Sequence, residues 1–307
     1  VSLFYFIAIR VLAQKYRETK FQIIRDKEYI KEMLSFVSML LFTVFAYLIN
    51  KQGIVIVVNL FFGLTINAAY AIAFQVFQAI DTFAMSFKQS VVPQLMQAYG
   101  ADDMARMNSL IFLGTKITFL LMMIISIPII FEMDYILKIW LKETPKYASI
   151  FTILLIISVN INVFSYFVYQ GVHASGKINR QQTLTSISYL LSIFFIYIAF
   201  KLGGNFYFAG YIPIFFSVLR NVIILFSAKE SINFNVMYFI KDAIMPCLFL
   251  VGLFFICNAI MISFFDASIF RLILAVILNC LFTVVLGYTL ILSHSEKRKI
   301  KTLLALS

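Results

Sequence analysis

The chain has 307 residues, of which 62% are hydrophobic and 13% are charged, and its formal net charge is +11. A soluble domain has about 45–50% apolar and about 25% charged residues, so this composition excludes a soluble globular fold and indicates a protein that places much of its surface in lipid. We expect the positive charge to mark the cytoplasmic side of a membrane protein, and we expect no nucleic-acid partner.

The first 32 residues divide into an apolar part and a basic part. Residues 1–13 are apolar, but they are too few to cross a hydrocarbon core of about 30 Å at about 1.5 Å per residue. The sequence begins with valine, and we interpret this run as the end of a transmembrane helix whose beginning lies outside the sequence. Residues 14–32 are polar and basic, which predicts a cytoplasmic loop. The sequence is therefore expected to be part of a longer protein.

Apolar stretches of membrane-spanning length follow as far as residue 292. A helix needs about 20 apolar residues to cross a bilayer, and these stretches lack the period-two alternation of a barrel strand. We predict about eight transmembrane helices, at residues 33–49, 54–96, 110–131, 148–172, 183–202, 206–226, 243–262 and 267–292. With the basic loop placed inside, most lysines and arginines fall on the inner side, as the positive-inside rule requires.

The polar residues 50–53 allow two interpretations. They form an outer turn between two helices, or they lie midway along one long helix from about residue 31 to residue 62. Hydropathy slightly favours the turn, because asparagine, lysine and glutamine are costly in lipid. Both interpretations give two crossings before Tyr99.

Polar side chains continue from residue 50 to residue 94, where contact with lipid would be costly. Several recur at spacings of three, four or seven residues, which places them near one helical stripe. Such a stripe is typical of a bundle interior or an aqueous path. The candidate cavity residues are Asn50, Lys51, Gln52, Asn59, Asn67, Gln75, Gln78 and Lys88. Asp81 is the candidate residue for a coupling ion.

Structural roles for polar residues stay open. The asparagines and glutamines could each bond between helices, and Asp81 and Lys88, two helical turns apart, could neutralise each other. Lys116, Arg220 and Arg271 lie toward the ends of their spans, and we expect them to extend to the nearest interface.

Residues 136–141 contain Trp140 and are predicted to form a short amphipathic helix on the outer surface. Lysines at 138, 142 and 146 recur every fourth residue. They either anchor this helix at the interface or attract an anionic, lipid-linked head group.

The sequence has no phosphate-binding glycine loop, no zinc-ligand spacing and no nucleophile elbow. We therefore expect no enzyme activity, no metal and no cofactor.

Several stretches, in order and spacing, resemble the polysaccharide, or O-antigen, flippase family, which is related to the MATE drug exporters and the lipid II flippases. The matching stretches are QGI at 52–54, NLFFG at 59–63, NAA at 67–69, AFQV at 73–76, VPQ at 92–94, ILKIWL at 136–141, PKYA at 145–148, ASGKI at 174–178 and KLGG at 201–204.

This resemblance implies two six-helix lobes around a central cavity, sometimes followed by two extra helices. The expected fold is all-α: a truncated helix, one MATE-like six-helix lobe and two further transmembrane helices. Residues 33–240 would be the second lobe, 241–293 the extra helices and 294–307 a basic cytoplasmic tail. The first lobe of the same protein would be missing. The resemblance also favours one long helix through residues 50–53.

The function implied by the resemblance is transport by alternating access in a bacterial inner membrane. The cargo would be an oligosaccharide on a polyprenyl pyrophosphate, attracted by Lys51 and Lys88. Asp81 would bind a coupling proton or sodium ion. A MATE-like exporter of drugs or small molecules and a lipid II flippase are the alternatives.

Overall fold

The computed structural model describes residues 26–141, 143–293 and 296–297. The expected truncated helix, most of the basic loop and most of the tail lie outside these residues. The described residues contain no strand and form seven helices that are long and apolar enough to cross a membrane. The helices are α1 (Lys27–Gly100), α2 (Met104–Trp140), α3 (Ala148–Ala174), α4 (Asn179–Lys201), α5 (Phe208–Ile232), α6 (Val236–Phe264) and α7 (Ile269–Ile291). The predicted polytopic helical membrane protein is confirmed.

Helix α1 folds back on itself at Gly63, whose backbone is not helical (φ 73°, ψ −169°). The Lys51 ammonium lies 4.6 Å from the ring centroid of Phe74, although a straight helix would separate these residues by about 35 Å. We call residues 39–62 the first arm and residues 64–100 the second arm. Two arms give two crossings, which reconciles seven helices with eight predicted spans.

Residues 26–38 form a unit of their own. The side-chain Oδ1 of Asp26 accepts hydrogen bonds from the backbone N–H groups of Glu28 at 2.9 Å and Tyr29 at 3.4 Å, which caps the N-terminus of α1. The helix therefore begins at Lys27, inside the stretch that was predicted to be a loop.

Residues 50–53 are helical throughout, so the prediction of an outer turn is wrong and the long helix is correct. Asn50 donates a hydrogen bond from Nδ2 to the backbone carbonyl of Tyr189 in α4, at 2.7 Å. Gly53 packs so closely on Ile193 that an added Cβ would approach it to 3.0 Å. Hydropathy favoured the turn because it counts the cost of a polar side chain in lipid, whereas a neighbouring helix supplies a partner here.

Helix α3 packs between α2 and α5, and it buries residues along its whole length. Glycines allow the close approach on both sides. An added Cβ on Gly114 of α2 would lie 2.9 Å from Phe167, and one on Gly210 of α5 would lie 2.4 Å from Leu154. These contacts make α3 the centre of the helical bundle.

Within the described residues, three ion pairs, two of which share Lys116, attach the C-terminal part of the chain to α2. Glu132 accepts a hydrogen bond from Nη2 of Arg271 in α7 at 2.8 Å, and the Nε–Oε1 distance is 2.7 Å. Nε of Arg271 and Oε1 of Glu132 are close, but Oε1 does not lie along the Nε–H bond. The two atoms therefore form an ionic contact without a hydrogen bond. Lys116 donates to Asp242 of α6 at 2.6 Å and to Glu296 at 3.0 Å.

Lys116 and Arg271 therefore do not end in water, as extension to an interface was expected to allow. Lys116 is fully buried and Arg271 is nearly so. Each finds a carboxylate more than 120 positions away in the chain, so neither side chain needs water as its partner.

The run around Trp140 is not a separate surface helix. Helix α2 continues without a break to Trp140, and Met133 and Leu137 keep its apolar face buried up to the last turn. Its 37 residues span about 55 Å, which exceeds a hydrocarbon core of about 30 Å. Helix α2 is therefore longer than one crossing requires, and its last turns remain packed on the protein.

Candidate functional site

The interior of the α1 hairpin contains three of the predicted charged residues. Lys51, on the first arm, lies half-buried over the ring of Phe74. Asp81, on the second arm, interacts electrostatically with Lys88 and with Lys51. The Lys88 side chain is only 3% exposed. The fold-back of α1 thus brings Lys51 near Asp81, which is 30 positions away in the sequence, whereas Lys88 follows Asp81 by seven residues.

The three charges lie at different heights along the hairpin. The second arm is about 55 Å long, so a hydrocarbon core of about 30 Å covers only part of it. Asp81 lies near the middle of this arm. Along the helix axes, Lys51 lies about 18 Å and Lys88 about 37 Å from the Gly63 bend, so the height of Asp81 is between those of the two lysines.

Asp81 does not pair directly with either lysine. Among the described residues, ionic contacts within 4 Å are formed by Lys116, Arg180 and Arg271 with carboxylates, and neither Lys51 nor Lys88 takes part in one. Lys88 instead lies over an aromatic ring, with its ammonium 4.9 Å from the ring centroid of Tyr166 in α3. A neutralising ion pair between Asp81 and Lys88 is thus absent.

A third cation, Arg220, lies in the middle of its helix, where it was not expected. It is the thirteenth of the 25 residues of α5, it is 8% exposed, and its guanidinium carbon lies 4.3 Å from the ring centroid of Tyr189. Its Nη2 donates to Ser217 Oγ at 2.8 Å. The prediction that Arg220 extends to the interface is wrong. The predicted span ended at residue 226, which put Arg220 toward one end, whereas α5 continues to Ile232 and makes Arg220 central.

The other predicted cavity residues have different surroundings. Asn50 bonds between helices, as described above. Asn67 is half-buried, and its Oδ1 has no hydrogen-bond partner among the described residues. Gln78 is half-buried on the second arm. Three more are exposed on the hairpin: Gln52, Asn59 and Gln75. A role for these residues in binding stays a prediction.

The sequence model of a family described as MatE matches residues 35–198, which is more than half of the chain. The chain belongs to the MatE family. The matched range includes Lys51, Asp81 and Lys88, and it ends before Arg220. No curated protein and no solved structure matches the chain. MatE members are transporters, and with seven membrane-length helices this MatE protein is a multi-pass membrane transporter.

The electrostatic balance of the MatE lobe interior is positive. Two cationic side chains, Lys51 and Lys88, act on one carboxylate, that of Asp81, which is the only acidic residue between positions 39 and 100. We call Lys51 and Lys88 the cation group. Each member contacts an aromatic face, which stabilises a cation by about 0.5–2 kcal/mol. That contact is weaker than a buried ion pair, so the site retains attraction for an anion.

Metal binding has no support in the described part of this MatE chain, where no group of three or more His, Cys, Asp or Glu residues is placed to hold an ion. A sodium ion at Asp81 would also be repelled by the two neighbouring lysines.

Proposed function

We propose that this MatE protein moves a polyprenyl-pyrophosphate-linked oligosaccharide across a bacterial inner membrane by alternating access. The observation that carries the proposal is the cation group, whose members lie on a membrane-length helix and have aromatic faces but no carboxylate within 4 Å among the described residues. Buried charge without a partner is costly. An anionic cargo would supply that partner during transport.

The pyrophosphate is the part of this cargo that the cation group suits. Two unit charges 4 Å apart attract by about 1 kcal/mol in water and by about 4 kcal/mol at an effective dielectric constant of about 20. A half-buried lysine at membrane depth therefore binds a phosphate oxygen better than the same lysine on a loop. Lys51 is the first candidate, because Lys88 is covered by the lobe itself.

The exposed amides of the hairpin suit the sugar part of the cargo. Gln52, Asn59 and Gln75 have no charge and carry both donors and acceptors, which matches the hydroxyl groups of a glycan. We propose that these side chains border the cavity between this lobe and a first lobe of the same protein. Asp81 would bind the coupling ion, a proton or a sodium ion.

Export of a cationic drug is the alternative within the same family, and Asp81 is its one supporting feature. Cationic cargo requires acidic side chains in its path, whereas the charged side chains of this lobe interior are mainly basic. Lipid II shares the polyprenyl pyrophosphate and differs in its sugars, so the cation group suits both lipid-linked cargoes.

The proposal is tested by Lys51→Gln in the full-length protein, expressed in cells that lack their own copy. We expect surface glycan display to be abolished while the amount of protein in the membrane is unchanged. Lys177→Gln, which removes an exposed lysine after α3, should leave display intact. Normal glycan display with Lys51→Gln would contradict the proposal. If display is normal and the cells instead lose resistance to cationic drugs, the result would favour the drug exporter.

A further inference from the structure

Arg220 lies at an interface between α4 and α5 that is unusually polar for a membrane-embedded contact. Phe195 of α4 and Phe216 of α5 pack with ring centroids 5.9 Å apart. Arg220 follows Phe216 by one turn, on the same face of α5, and contacts Tyr189 of α4. These two contacts fix the antiparallel register of the helices around Arg220.

Two serines of α4 lie at this level without a hydrogen-bond partner among the described residues. Ser188 and Ser192 are 2% and 1% exposed, and the Oγ atoms of both lack a partner. They precede Phe195 by seven and three residues, which places them on the face that packs against α5. A buried hydroxyl that is left without a partner costs about 1–3 kcal/mol, so these two indicate a missing ligand or water.

A further hydroxyl pair completes the surroundings of the guanidinium. Ser217 accepts a hydrogen bond from Arg220 and lies 2.9 Å from the hydroxyl of Ser158 in α3. An arginine has five N–H donors, and Ser217 is the one hydrogen-bond acceptor that Arg220 has among the described residues. Four donors therefore remain for another group.

We propose that Arg220, Ser188, Ser192 and Ser217 form a binding site for a phosphate-type oxyanion inside this lobe, separate from the cavity that Lys51 faces. The site is enclosed by the lobe alone, since Arg220 and both α4 serines are buried without any contribution from a second lobe. The inference does not depend on the identity of the transported cargo.

The chemistry favours an oxyanion over a halide. A guanidinium donates two parallel hydrogen bonds to two oxygens of one phosphate, and serine hydroxyls can donate to the remaining oxygens. The oxyanion could come from free phosphate in the cell or from a phosphate head group of a lipid, and the two sources share this chemistry.

The test uses the whole 307-residue chain in nanodiscs of zwitterionic lipid. In one arm, inorganic phosphate is titrated and followed by ³¹P NMR line broadening. In the other, the nanodiscs contain a small fraction of a lipid with a phosphate monoester head group, and its ³¹P signal is followed instead. We expect saturable binding in at least one arm, and the arm that responds identifies the source.

Variants separate this site from non-specific attraction. Arg220→Gln should weaken binding about tenfold or more, since hydrogen bonds to charged groups are stronger than neutral ones. The double variant Ser188→Ala with Ser192→Ala, which keeps the charge and the apolar packing, should weaken it several-fold. Arg180→Gln removes an exposed arginine that pairs with Glu230 and should have no effect.

Absence of binding in both arms would overturn the inference. So would binding by Arg220→Gln that matches that of the unmodified chain. The serine double variant keeps the test decisive if Arg220→Gln does not fold. Because the readout is binding by this chain, a failure here is distinguishable from a failure of the glycan-display experiment.

Discussion

The contact between Glu132 and Arg271 provides a quantitative test of how the C-terminal helices are held on the lobe. Its side chains are 0% and 9% exposed. Arg271→Met would leave the Glu132 carboxylate buried without a cation, and removal of one partner from a buried pair costs about 3–5 kcal/mol. The variant also loses the 2.8 Å hydrogen bond from Nη1 to the backbone carbonyl of Phe265.

The same chain supplies a matched control. Arg180 and Glu230 form an exposed pair, with side chains 66% and 54% accessible, and exposed pairs contribute about 0–1 kcal/mol. Arg180→Met should therefore change the free energy of unfolding by less than about 1 kcal/mol.

The double variant Glu132→Met with Arg271→Met separates charge from packing. It removes both charges and fills their space with apolar side chains, and such a replacement is often neutral or stabilising. We expect it to recover most of the stability that Arg271→Met loses.

The measurement is the free energy of unfolding of the purified chain in mixed micelles, by titration with sodium dodecyl sulfate and circular dichroism. If Arg271→Met loses no more stability than Arg180→Met, or if the double variant is less stable than the single one, the contact does not hold the helices as we infer.

Two further substitutions test the hairpin bend and the inner ionic contact. Gly63→Ala should destabilise the chain by about 1–3 kcal/mol, because a Cβ there meets no atom within 4 Å and the cost comes only from its positive φ. Gly252→Ala, in helical backbone with equally open space, should be neutral or stabilising in the same titration with sodium dodecyl sulfate, and equal effects of the two substitutions would contradict the assignment of the bend. Lys116→Met should raise hydrogen exchange at residues 296 and 297 about tenfold or more, equivalent to about 1.4 kcal/mol, since Glu296 loses its cation. Exchange equal to that of the control Lys177→Met would contradict this.

Hydropathy predicted the helices but not where they end. The span at residues 110–131 lies inside α2, which runs from Met104 to Trp140, because a hydropathy window detects the lipid-facing core of a helix and not its packed extensions. The resemblance to flippases correctly placed residues 50–53 inside one helix. Hydropathy favoured a turn at these residues. The sequence pattern of a family reflects which helices pack together, whereas hydropathy reflects only the polarity of each residue.

The placement of cations could not be predicted from local sequence. Lys116 and Arg271 were expected to reach water, because within their own helices nothing compensates their charge. Their partners lie more than 120 residues away, and only the folded chain reveals them. Arg220 was misplaced for the same reason, since the ring of Tyr189 that covers it belongs to another helix.

The charges of this chain therefore fall into two groups, and the contrast between them supports transport. Lys116 and Arg271 show that the fold supplies carboxylates to cations that hold helices together. The cation group lies in the same bundle, and among the described residues it has aromatic faces where Lys116 and Arg271 have carboxylates. A purely structural role would be served better by a carboxylate, because an unpaired buried charge is costly. The presence of the cation group without a carboxylate is explained if its negative partner arrives with the cargo and leaves with it.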